Sequence, residues 1–114
     1  MNFVSIRVIT ADVARLVGFY EKTTGLTATW ATPEFATFTT GAATLAIGGE
    51  RTVPVASPAA NRSVIVEFLV DDVDALHGTL DDVEVVMPPT TMPWGNRSLL
   101  VRDPDGNLVN FFKP

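Results

Sequence analysis

The chain has no cysteine at all. Disulfides, thiolate metal sites and a cysteine nucleophile are thereby excluded, and the composition suits a reducing cytoplasm, which is the expected location. Histidine is nearly missing too: His77 is the single one. No serine sits in a nucleophile-elbow context, so nucleophilic catalysis has little support. Basic residues are outnumbered, with 8 Lys and Arg against 13 Asp and Glu and a net charge of -5. That balance argues against nucleic acid as a partner and mildly favours a cationic ligand. No apolar run reaches the roughly 18 residues a membrane span needs. The opening MNFVSIRVIT alternates and lacks the basic start and long apolar run of a signal peptide. A phosphate-binding glycine loop is also lacking, since Gly48-Gly49 is too short a signal.

What is present reads as a globular chain. Its 114 residues are 46% hydrophobic and 18% charged, which fits one domain or two small units fused around a shared core. A strand is predicted from Phe3 to Ile9. Val13, Leu16, Val17 and Tyr20 then form one apolar helical stripe, with Thr10 or Asp12 as its cap and Gly25 as its stop. Further strands are predicted at Thr27 to Thr32, Phe35 to Thr39 and Ala43 to Ile47, separated by Pro33-Glu34 and Thr40-Gly41. GGERTVPVASPAANRS, residues 48–63, reads as a linker or lid.

Beyond the linker the order repeats. Val64 to Val70 is an apolar strand, and DDVDALHGTL is a helix capped by Asp71 or Asp72. Strands follow near Val83 to Met87, Ser98 to Arg102 and Leu108 to Phe112. Between the last two, Asp103-Pro104-Asp105-Gly106 is the strongest hairpin signal in the chain. DVARLVGFY from Asp12 and DVDALHGTL from Asp72 share Asp, Val, Leu and Gly at matching places. Duplication of a βαβββ unit is the reading that follows, with repeat one at 1–48, a linker at 49–63 and repeat two at 64–114 within a single domain. Two such units would build an α+β protein with a curved, mostly antiparallel eight-stranded sheet, helices outside and a concave trough.

IRVITADVARLVGFYEKTTGL, with its strand, Asp-led helix and aromatic pair, resembles the opening of vicinal-oxygen-chelate proteins. VRDPDGNLVNFF resembles their closing hairpin. This is the superfamily of glyoxalase I, extradiol dioxygenases, fosfomycin-resistance enzymes and bleomycin-resistance proteins, and the resemblance runs through both repeats. In its metal-dependent members, strand residues facing the trough bind a divalent cation; they are typically His, Gln or Glu, with a Glu from the closing strand. The family spacing places these positions on Ser5, Ala46, Ile65 and Asn110, none of them a good divalent-metal ligand. The resemblance therefore implies the metal-free, bleomycin-resistance-like branch: no metal and no cofactor, a small organic ligand of cationic or aromatic character, and a homodimer. The rival is a glyoxalase-like lyase or a dioxygenase.

Strand alternation extends the site. If Ser5 and Ile65 face the trough, so do Arg7 and Glu67, which occupy equivalent repeat positions and are expected to pair. Trp94, between Pro93 and Gly95, is expected on the rim, where it can stack on a flat or cationic ligand. The expected ligand-binding residues are thus Ser5, Arg7, Ile65, Glu67, Trp94, Asn110 and Phe112. Trp30 is expected to pack in the core or at a dimer interface. Arg97 binds an anionic group or sits in solvent, and His77 lies on a helix away from the trough.

Overall fold

The computed structural model describes residues 1–114, which divide into two compact units, 1–59 and 60–114. The repeats expected at 1–48 and 64–114 each fall inside one unit. Both units have the βαβββ order, as the duplication requires, and their eight strands are hydrogen-bonded as two sheets of four.

In the first unit, β1 (Ser5–Thr10) leads into α1 (Val13–Thr24), then β2 (Thr29–Thr32), β3 (Phe35–Thr40) and β4 (Ala43–Gly49). The helix begins where Asp12, in extended conformation, accepts a hydrogen bond from the Arg15 amide at 3.1 Å. This satisfies one of the amides a helix start leaves without a partner. It stops at Gly25, whose φ of 73° is costly for any residue with a Cβ. Val13, Leu16, Val17 and Tyr20 are buried as the stripe predicts, and α1 packs on β3 and β4. Sheet order is β1-β4-β3-β2, with β1 parallel to β4 and the other pairs antiparallel.

The second unit contains β5 (Ile65–Leu69), α2 (Val73–Thr79), β6 (Glu84–Thr91), β7 (Arg97–Arg102) and β8 (Leu108–Lys113), in the order β5-β8-β7-β6. Asp72 caps α2 by accepting from the Ala75 amide at 2.9 Å. One face of the sheet is packed against the helix: Leu99, Val101, Val109 and Phe111 are fully buried, and Phe111 stacks on Phe68 with centroids 5.6 Å apart. Strand β6 runs past Pro88-Pro89, further than the expected end near Met87. Its edge position tolerates prolines, which have no amide to give to a ladder. Register shifts between Val85 and Met87 and between Met87 and Thr90 accommodate them.

The closing turn is a buried polar knot. Asp103 Oδ1 accepts the amides of Asp105 and Asn107, and Asp103 Oδ2 accepts Asn107 Nδ2 at 3.0 Å. Asn107 Oδ1 in turn takes the Asn61 amide at 2.9 Å, tying the end of the linker to the hairpin. Gly106, at φ 89°, completes the turn.

Candidate functional site

The other face of the second sheet carries a concavity. In the parallel pair β5·β8, Glu67 stands opposite Asn110; in β7·β8, Asn110 stands opposite Leu100; in β6·β7, Leu100 stands opposite Met87. Paired residues project to the same face, so these four side chains form a row across the sheet. Phe112 and Ser98 form the core of the adjoining row. The turn joining β6 and β7 closes one side. There the Met92 amide donates to the Asn96 carbonyl at 2.8 Å, and Gly95 takes φ 109°, so that Trp94 projects from the tip.

These residues, with Ile65, Met92, Asn96 and Pro114, line a cavity of about 410 Å³. Trp94 is 74% exposed, whereas Asn110 is only 8% exposed at the floor. Asn110 Nδ2 donates to Glu67 Oε2 at 2.8 Å, while Asn110 Oδ1 is buried without a hydrogen-bond partner. A buried acceptor left unmet costs about 1–3 kcal/mol. Asn96 Nδ2 donates to Ser98 Oγ at 2.7 Å. Chemically, the site offers aromatic and thioether walls around a few convergent polar groups.

Five of the expected site residues, Ile65, Glu67, Trp94, Asn110 and Phe112, meet in this cavity. Ser5 and Arg7 are exposed on β1 of the first unit. Within the second unit, salt bridges join Arg97 to Asp74 and Arg102 to Glu84. Arg7 and Glu67 are each engaged inside their own unit: Arg7 Cζ lies 5.9 Å from the centroid of Phe35, and Glu67 takes the Asn110 amide. Register neighbours are held within reach by the ladder itself, which brings Asn110 of β8 to Glu67 of β5.

Arg97 meets an anionic group of the chain itself. Its Nε and Nη2 clasp Asp74 of α2 at 2.6 and 2.7 Å, and Nη1 donates to Thr91 Oγ1. The Arg97 hydrogen bond, the largest influence, holds the Asp74 carboxyl below its usual 3.8, and Asp74 raises Arg97 in return. The clasp ties the helix start to the ends of β6 and β7. His77 is half-buried on α2 and does not line the cavity, as expected, and Trp30 is 44% exposed on β2 rather than in the core.

The sequence reading missed Met87, Met92, Asn96, Ser98, Leu100 and Pro114. Ser98 and Leu100 share the parity of Asn110 across the β7·β8 register, a signal available once that hairpin is paired. Met87 lies between register shifts, where alternation gives no guide.

The positions that hold a divalent cation in metal-dependent relatives do not fit one here. Alanine and isoleucine have no lone pair to offer, so Ala46 and Ile65 remove two donors outright. No group of three or more His, Asp or Glu side chains is placed to hold a metal. The Asn110 amide directs an N–H, not its oxygen, at Glu67.

The comparisons with known proteins agree with the architecture. A structure of a protein of unknown function from Agrobacterium tumefaciens is 28% identical, with a TM-score of 0.85 over 100% of this chain and 94% of that one. A member of the glyoxalase/bleomycin resistance protein/dioxygenase superfamily from Sphaerobacter thermophilus is 24% identical, with a TM-score of 0.80, covering 100% and 98%. Another from Nocardioides is 24% identical, with a TM-score of 0.78, covering 99% and 83%. These last two likenesses speak for the fold alone. No curated protein matches the chain. The family model of the Glyoxalase/Bleomycin resistance protein/Dioxygenase superfamily matches residues 2–111, and the chain belongs to that superfamily.

Proposed function

We propose that this superfamily member binds a small organic molecule in the cavity of its second unit, without a metal, and sequesters it. The observation that carries the reading is the lining itself: Trp94, Phe112, Met87 and Met92 around the Glu67–Asn110 pair, bordering an open concavity of about 410 Å³. That volume falls within the roughly 300–1,000 Å³ of ligand pockets, and apolar walls with few polar groups are their usual make-up. Metal independence rests on the donor chemistry of Ser5, Ala46, Ile65 and Asn110. No helix is long and apolar enough to cross a membrane; a cytoplasmic location is part of the proposal. So is a homodimer, supported by the exposed apolar side chains of Phe3, Val4, Ile6 and Leu69 on or beside the edge strands β1 and β5.

The test is a thermal-shift screen against cationic glycopeptide drugs, aromatic metabolites and glutathione adducts, with metal analysis of the same protein. A ligand at a hundred times its Kd raises stability by about 2.7 kcal/mol, a shift of several degrees for a chain of this size. Hits that lose affinity in Trp94→Ala support the proposal. A screen without hits, or stoichiometric zinc, nickel, iron or manganese, turns the reading towards an enzyme.

A further inference from the structure

Sulfur is confined to three methionines, because the chain has no cysteine. Met1 stands in solvent at the terminus, and the other two, Met87 and Met92, both line the concavity of the second unit. Met87 sits on the edge strand β6 opposite Leu100, between two register shifts. Met92 opens the turn that carries Trp94, its amide bonded to the Asn96 carbonyl at 2.8 Å. Both side chains are half-buried, so a small solute in the open concavity reaches them. Neither belongs to the helix-packed core, which is made by Leu99, Val101, Val109 and Phe111.

Thioethers are soft, oxidisable groups, and this chain has no thiol to compete for an oxidant. A peroxide acts on them in one balanced step. The sulfur lone pair attacks one peroxide oxygen, and an S–O bond forms as the O–O bond breaks. The other oxygen takes the displaced proton and leaves as water; sulfur loses two electrons and the peroxide gains them. The sulfoxide places a strong dipole with an acceptor oxygen where an apolar wall stood. Little in the concavity answers that oxygen, since its two side-chain amides already turn N–H groups elsewhere, Asn110 to Glu67 and Asn96 to Ser98. Such oxygens hold water, which an apolar guest must displace. In a close-packed core the same change would unfold the protein. On an edge strand and a turn it alters the wall of the site and leaves the packed side of the sheet alone.

We infer that Met87 and Met92 form a reversible oxidation site, at which peroxide turns the concavity from an apolar to a polar surface and weakens its hold on an apolar guest. The inference rests on the proposal that this concavity binds a small organic molecule, and it adds a control on that binding.

The test uses the full chain and N-phenylnaphthylamine, a neutral apolar dye whose fluorescence reports its own binding. Dilute hydrogen peroxide is applied, and sulfoxides are located by peptide mass spectrometry with Met1 as the internal standard for an exposed methionine. Met87 and Met92 are expected to gain one oxygen each at rates within about tenfold of Met1. The dye is then expected to bind about tenfold more weakly, with the far-ultraviolet circular dichroism unchanged. Methionine sulfoxide reductases for both epimers, with a dithiol that is oxidised to its disulfide, are expected to restore binding. Met87→Leu combined with Met92→Leu is expected to give a chain whose dye affinity peroxide no longer changes. Three results overturn the inference and leave the cavity proposal standing: sulfoxides at both positions with dye binding unchanged, rates further below Met1 than that, or a peroxide effect that persists in the double variant. A loss of secondary structure on oxidation overturns it too, by making these methionines part of the fold. If the dye does not bind the unoxidised chain, the cavity proposal and the inference fall together. Should the double variant fail to fold, recovery of binding under the reductases decides on the unaltered protein.

Discussion

In the first unit the row that crosses the sheet from β1 reads Arg7, Ala46, Thr37 and Thr29; in the second, the row from β5 reads Glu67, Asn110, Leu100 and Met87. The backbone pairing is the same, with a parallel edge strand followed by antiparallel neighbours. On the helix-facing side the two units also agree, since Ile47 and Phe111, next in chain to Ala46 and Asn110, are both fully buried. The units differ on the other side. One has small side chains and a cation lying over Phe35; the other has an amide, a carboxylate and large apolar groups. The fold is thus set by positions that the repeats share, and the site by positions at which they part.

Three experiments break or sharpen this contrast. The largest effect belongs to the shared core. Phe111→Ala is expected to cost about 3–5 kcal/mol and Ile47→Ala about 2–5, measured by urea unfolding. A loss well below that at Phe111 would contradict the packed role given to the helix-facing side.

Next come the positions at which the repeats part. Asn110→Leu removes the buried unmet oxygen of Asn110, so stability should stay level or rise by up to about 1 kcal/mol while ligand affinity falls. The reciprocal change, Ala46→Asn, places an amide at a site only 5% exposed and should cost about 1–3 kcal/mol. If Asn110→Leu instead destabilises strongly, the amide is holding the fold rather than serving a ligand.

The smallest effect is electrostatic. Asp74 occupies the place held by Ala14 in the first repeat, so only the second helix carries the Arg97 clasp. Because the Asp74 carboxyl is held below its usual value by the Arg97 hydrogen bond, folding favours its ionised form. The clasp therefore adds stability above the usual carboxylate range, and that contribution is lost as pH falls through the lowered value. Asp74→Asn should flatten the acid limb of the stability profile only slightly, the pair being exposed and screened. A large change in slope would assign the clasp more weight than its exposure allows.

Most of the element order could be read from the chain, because caps and turns are local chemistry. Asp12 and Asp72 mark both helix starts, Gly25 ends α1, and Asp103 to Gly106 makes the last hairpin. Alternation from Ile65 and Asn110 also carried Glu67 and Phe112 to the correct face. Legibility failed where register departs from a period of two. The shifts around Met87 and the edge prolines of β6 hid that strand's length and its contribution to the cavity. Nor could the side-chain partners of long charged residues be read from sequence, because those partners lie far along the chain: Arg97 meets Asp74, and Glu67 meets Asn110.

The central claim, a metal-free organic site in the second unit, is tested most directly by nuclear magnetic resonance on chelator-treated protein titrated with a library of aromatic amines. The account predicts saturable shifts of the Asn110 side-chain amide together with the Trp94 indole N–H, unchanged when divalent metal is restored. Shifts that appear only after a metal is added, or that cluster on residues outside the cavity, would contradict it.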